Sequence, residues 1–145
     1  MNVDIIEKPK KNISEDIKVG SSTDIVNLKD VQEIRNAIRE HLLFIGLDNR
    51  NNIRNITLLG IGTSCNVVID SKEIIRTALY SASNKVILVH NHPSGDATPS
   101  KEDITFTNNI FTSGKIIGIP VIEHVIIGNN KYYSFKENKM VILWK

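Results

Sequence analysis

The sequence predicts an α+β fold, with one mixed, mostly antiparallel sheet flanked by helices. Apolar runs of strand length, such as His41–Leu47 and Val86–Val89, are interspersed with stretches at helical spacing. Their order lacks a strict strand–helix–strand rhythm, which argues against a purely parallel sheet. The 145 residues, 41% hydrophobic and 23% charged, suffice for one domain with its own core.

Residues 1–21 are polar and read as an N-terminal arm, extended at Asp16–Val19, leaving 22–145 as the domain. Ser21, Ser22 and Thr23 supply helix-start chemistry. From Asp24, the residues Ile25, Val26, Leu28, Val31, Ile34 and Ile38 recur at helical spacing, with a break near Lys29-Asp30. The strand His41–Leu47 ends at the turn cluster DNRNN, and Ile53–Ile61 returns as the second arm of a hairpin. A short third strand is expected at Asn66–Ile69. Asp70 or Ser71 caps a helix through Ile74, Ile75, Ala78 and Leu79, ended by Asn84. After the strand at Val86, a helix opens near Ser100, continues through Ile104–Phe111 and ends at Gly114. Pro120–Ile127 and Lys131–Phe135 form a closing hairpin around GNN, with Val141–Trp144 as a last strand.

Composition excludes several classes. Eighteen basic and sixteen acidic residues leave a net charge of +2, too little for a phosphate-binding surface. Lys8, Lys10 and Lys11 read as a solvated tail. Cys65 stands alone, so no internal disulfide forms. No apolar segment approaches the ~20 residues of a membrane span, and the N-terminus lacks a signal-peptide core. A reducing, cytoplasmic setting is expected.

The chemistry concentrates in VILVHNHPSGDATPSKED, Val86 to Asp103. His90 and His92 stand two apart at a strand end, so both imidazoles can reach one point while Asn91 points away. Pro93 and Gly95 turn the chain. Ser100 and Asp103 follow on the first turn of a helix that can carry the carboxylate back. Two imidazoles, one carboxylate and an open fourth position suit a hydrolytic zinc site. Each part also has an ordinary explanation. A histidine at a strand end can be a hydrogen-bonded structural residue, and Ser100-x-x-Asp103 fits a capping box. Thr98 as N-cap with Pro99 behind it is an equally good helix start.

His90-x-His92-Pro93 followed by Ser100-x-x-Asp103 resembles the JAMM motif of the JAB/MPN metalloproteases. The string HNHPSGDATPSKED is similar to that of the RadC branch of this family. Arg39-Glu40-His41 before the first strand, Gly62-Thr63, Glu73 to Leu79 and Glu123 to Gly128 also fall where that branch places them. Roughly residues 22–137 are covered. The resemblance implies a JAB/MPN-like (cytidine-deaminase-like) fold and hydrolysis of an amide, peptide or isopeptide in a peptide or protein substrate. It implies that His90, His92 and Asp103 hold Zn²⁺ with a water as fourth ligand, whose pKa falls towards ~7. Of the upstream acids Glu33, Glu40 and Glu73, Glu40 matches the family's glutamate that opens the first strand. It is expected to take the water's proton and pass it to the leaving amine. Ser100 is expected to donate to the oxyanion.

Glu33 has no such match, and Glu73 suits the first turn of a helix for electrostatic reasons. His124 reads as a core histidine satisfied by a hydrogen bond rather than a fourth ligand. Glu123 stands where the family pattern usually has aspartate. Cys65 reads as a small buried thiol, and the absence of a PCxxC segment separates this chain from the zinc deaminases. The rival functional expectation is a non-catalytic or DNA-repair-associated accessory role, because the RadC branch carries a DNA-repair label. The helix-hairpin-helix module of such relatives has no counterpart expected here.

Overall fold

Six strands hydrogen-bond into one sheet in the computed structural model, which describes residues 17–62 and 69–143. They are β1 (His41–Leu47), β2 (Ile53–Ile61), β3 (Lys85–Asn91), β4 (Val121–Ile127), β5 (Lys131–Ser134) and β6 (Lys139–Ile142). The spatial order is β2-β1-β3-β4-β5-β6, with only the β3–β4 pair parallel. The α+β class with a mixed, mostly antiparallel sheet is thus what the chain adopts.

The helices α1 (Ser22–Val26), α2 (Lys29–Arg35), α3 (Ser71–Tyr80) and α4 (Lys101–Ile117) divide between the two faces. Successive residues of β1 point to opposite sides, so one strand feeds two cores. Leu43, Ile45 and Leu47 join Ile25, Val26 and Val31 from α1 and α2, together with Ile87, Val89, Val125 and Ile127. Leu42 and Phe44 face Ile74 and Ala78 of α3 and Ile110 of α4, together with Val86 and Leu88. Ile87, Leu88 and Val89 are fully buried. At about 1.5–3 kcal/mol for each such side chain, they anchor β3 firmly just before its histidines. Helix α4 is the crossover that a parallel pair requires.

Several expectations shift. The first helical stretch divides at Asn27 and Leu28, and Ile38, two residues beyond the C-cap of α2, is 84% exposed rather than core. Leu79, at the end of α3, is also exposed. Asp70 caps α3, accepting from the Lys72 N–H, and the helix ends at Tyr80 before Ala82 takes φ +51°. Gly114 does not end α4. It lies inside the helix, where a Cβ would stand 2.7 Å from the Ile119 carbonyl oxygen. The left-handed C-terminal position belongs to Gly118, at φ +78°. Strand β3 extends to Asn91, so His90 lies within the ladder. Cys65, Trp144, most of the expected third strand and most of the N-terminal arm fall outside the described residues; Ile69 is not in a strand. No helix among the described residues is long and apolar enough to cross a membrane.

Candidate metal centre

Strand register brings the upstream acid to the histidines. In the antiparallel β1–β3 pair the ladder ends with Leu42 opposite His90, so Glu40, two residues before Leu42, lies at the end of β3 from which His92 emerges. Glu40 is buried, and its Oε1 stands 3.7 Å from His92 Nε2. His90 Nε2 and His92 Nε2 face one another at 3.1 Å. Asp103 Oδ1 lies 3.4 Å from His90 Nε2, and Oδ2 lies 3.1 Å from His92 Nε2.

Asp103 arrives by a local device. Ser100 is the N-cap of α4: its Oγ accepts from the Asp103 N–H at 3.0 Å, and Asp103 Oδ2 accepts from the Ser100 N–H at 2.9 Å. The capping box and the convergent site are therefore one arrangement. The reciprocal bonds fix the carboxylate that faces the histidines. Capping uses a lone pair of the Ser100 oxygen and leaves its proton for donation. Ser100 is exposed at the rim.

The orientation of each imidazole follows from its second nitrogen. Thr107 donates its hydroxyl proton to the Asp103 carbonyl at 2.6 Å, so its oxygen accepts from His124 Nδ1–H at 2.7 Å. Complete burial, and secondarily the His90 charge, holds the His124 pKa well below the usual value and keeps the ring neutral. Its Nε2 therefore accepts from His90 Nδ1–H at 2.7 Å. That bond turns His90 Nε2 towards the site. His92 Nδ1 donates to the Asp96 carbonyl at 2.8 Å, which likewise turns its Nε2 inwards. Imidazoles that bind metals are oriented by this kind of partner.

Electrostatics favour positive charge at this point. Burial alone lowers the His92 pKa. Its hydrogen bonds to Asp103 and the Asp96 carbonyl, with the Asp103 and Glu40 charges, outweigh that and raise it. Burial opposes ionisation of Asp103, yet hydrogen bonds to His90 and His92, the His90 charge and the Ser100 N–H hold it far below the usual carboxylate range.

The donor set fits a small tetrahedral cation. Ligands 2.0–2.1 Å from zinc stand about 3.3 Å apart, close to the observed 3.1, 3.4 and 3.1 Å separations. Glu40, His90 and His92 also offer ligand atoms within 4.8 Å of one another and could hold a metal ion. Asp103 approaches the ring nitrogens more closely than Glu40 does.

Among the described residues, the other acids weighed from the sequence lie apart from this cluster. Glu33 reaches Lys29 at 4.0 Å, and Glu73 pairs with Arg76 at 3.1 Å in the first turns of α3. Glu123 is buried and accepts from the His124 and Lys136 N–H groups and from Ser134 Oγ. His124 is core and hydrogen-bonded as expected, but one of its partners is His90 itself. Sequence reasoning missed Thr107. The signal for Thr107 was its i+4 spacing from Asp103, which places both on one helix face.

The comparisons with known proteins agree with this architecture. A family model described as RadC-like JAB domain matches residues 19–140. A UPF0758 protein of Desulfitobacterium hafniense is 38% identical over 136 residues, covering 91% of this chain and 60% of that protein. A UPF0758 protein of Methanococcoides burtonii is 42% identical over 120 residues, 83% of this chain and 52% of the relative. The chain thus spans between half and three fifths of the length of these curated relatives. Matching over most of its length in sequence, with a mixed sheet flanked by helices, the chain belongs to the RadC-like JAB domain family.

Proposed function

We infer that the protein is a zinc-dependent metallohydrolase of the metallopeptidase or isopeptidase type, cleaving an amide bond in a peptide or protein substrate. The observation that carries this is the convergence of His90 Nε2, His92 Nε2 and the Asp103 carboxylate at 3.1–3.4 Å, with Glu40 alongside. In this reading His90, His92 and Asp103 hold the zinc, and Glu40, 3.7 Å from His92 Nε2, stays outside the ligand set.

Zinc, when bound, supplies Lewis acidity and lowers the pKa of water towards ~7. The chain's own residues supply the rest. Glu40 Oε1 accepts a proton from the attacking water and delivers it to the departing amine. Ser100 Oγ–H, at the rim, donates to the carbonyl oxygen as negative charge develops there, a contribution of about 3 kcal/mol in comparable sites. His124 and Thr107 keep His90 Nε2 directed inwards, and the Asp96 carbonyl does the same for His92.

Metal analysis of the purified protein followed by a peptide-library cleavage screen tests the reading, with Glu40→Gln as control. One zinc per chain, chelator-sensitive cleavage and a loss of about 10²–10⁴-fold in Glu40→Gln are expected. Cleavage that survived Glu40→Gln would remove Glu40 from the general-base role. Metal-free protein of undiminished activity would end the account.

A further inference from the structure

The residue between the two histidines has no part in the chemistry above, yet it is fully buried and makes a directed set of hydrogen bonds. Asn91 Oδ1 accepts from the His41 N–H at 2.6 Å. Its Nδ2 donates to the Arg39 carbonyl at 3.0 Å, with the Ala37 carbonyl at 3.4 Å. These bonds fall on both sides of Glu40. The Arg39 carbonyl belongs to the peptide before it and the His41 N–H to the peptide after it.

The backbone needs this help. Helix α2 ends at Arg35 and β1 begins at His41, so Glu40 sits on irregular chain just ahead of the ladder. The Glu40 carbonyl accepts from the Gly62 N–H at 2.7 Å, and the His41 ring adds a bond from Nδ1 to the Arg39 carbonyl at 2.8 Å. Asn91 alone among these groups holds both flanking peptides. With both planes fixed, the φ and ψ of Glu40 are fixed, and so is the direction in which its side chain leaves the strand.

We propose that Asn91 is a positioning residue that braces the two peptides around Glu40 and so holds the Glu40 carboxylate beside His92. The proposal rests on the metallohydrolase reading for what Glu40 does there. Alternation along β3 makes the device economical: His90 and His92 face the site, while Asn91 reaches the other way to β1. Three consecutive residues thereby orient both the ring nitrogens and the acid opposite them.

The test compares the full chain with Asn91→Ala, Glu40→Gln and the double variant. Amide hydrogen exchange gives a readout independent of turnover. The Gly62 amide, bonded to the Glu40 carbonyl but not to Asn91, should exchange at least about tenfold faster in Asn91→Ala. Cobalt titration should still give one equivalent of metal, because Asn91 contacts no ligand side chain. Cleavage should lose about 10²-fold in kcat with little change in KM, the scale of a misplaced catalytic group. In the Glu40→Gln background the same substitution should cost nothing further, because its effect passes through Glu40. If Asn91→Ala does not fold, Asn91→Ser, which keeps a polar group in the buried space, takes its place. Unchanged Gly62 protection would overturn the brace, as would equal losses in both backgrounds. Absence of zinc-dependent cleavage in the unmodified chain would instead overturn the metallohydrolase reading, and the exchange result would then decide the brace by itself.

Discussion

Neighbouring strands of the sheet each carry histidine and draw in carboxylate, and the two groupings are opposites. On β4, Glu123 accepts three hydrogen bonds and both ring nitrogens of His124 are engaged by protein partners. At the end of β3, one nitrogen of each imidazole is engaged and the other is aimed at a common point between acids. Burial differs, with Glu123 and His124 nearly inaccessible and the side chains of His92 and Asp103 14% and 18% exposed, but it does not by itself distinguish their roles. The accounting of partners does: a closed polar network stiffens a core, whereas convergent ligand-type atoms call for a cation. The pKa shifts agree, with Asp103 held ionised by its partners and Glu123 pushed towards neutrality by burial.

His92→Ala should break the contrast most completely. Metal analysis should show zinc falling from about one equivalent to background, with cleavage lost alongside. Retained stoichiometric zinc would mean that the acids and His90 suffice, and that the β3 grouping is not the ligand set. Ser100→Ala should keep the metal but lower turnover by about 10²–10³-fold. The same variant should cost about 1 kcal/mol of stability in denaturant titration, because it removes the N-cap of α4. A stability loss without a turnover loss would confine Ser100 to capping.

His124→Phe probes the direct bond between the two groupings, from His90 Nδ1 to His124 Nε2. Without an acceptor for His90 Nδ1, metal affinity measured by competition with a chromophoric chelator should weaken by about 10–100-fold. Unchanged affinity would make His124 purely a core residue.

The smallest effect concerns pH. Burial raises the folded-state pKa of Glu123 above its ordinary value of 4.5. Its stabilising contribution is thus fully present below that value and is lost as pH rises through the folded pKa. Asp103 has the reverse sign: its contribution is present above its ordinary 3.8 and is lost as pH falls through its lowered folded-state pKa. Denaturant midpoints measured across acid to neutral pH should show Glu123→Gln gaining stability relative to the unmodified chain as pH rises. A parallel pair of curves would place Glu123 on the same footing as a solvated acid.

Much of the site was legible because its parts are local. The i, i+2 spacing of the histidines and the i, i+3 spacing of Ser100 and Asp103 act through strand alternation and a helix cap, and both operate within a few residues. The capping-box explanation was correct, and it was no rival to the site, since the cap is what aims the carboxylate. Periodicity misled at Ile38 and Leu79, which continue an apolar pattern but lie where no element covers them. Gly114 was misread for a related reason. A glycine needed for close approach to the segment after the helix looks, in sequence, like a glycine that ends it.

The sequence by itself determined the class of fold, the strands and helices that carry the motif, and the side on which each motif residue stands. Those properties follow from backbone geometry repeated every two residues or every three to four. Only the tertiary structure decided that Glu40 comes to lie beside His92, that Asn91 braces it from the next strand, and that Thr107 and His124 orient His90. These contacts join residues far apart in the chain, through the packing of α4 in the case of Thr107 and the register of a sheet in the others. That register is set by the simultaneous burial of two cores rather than by any local preference.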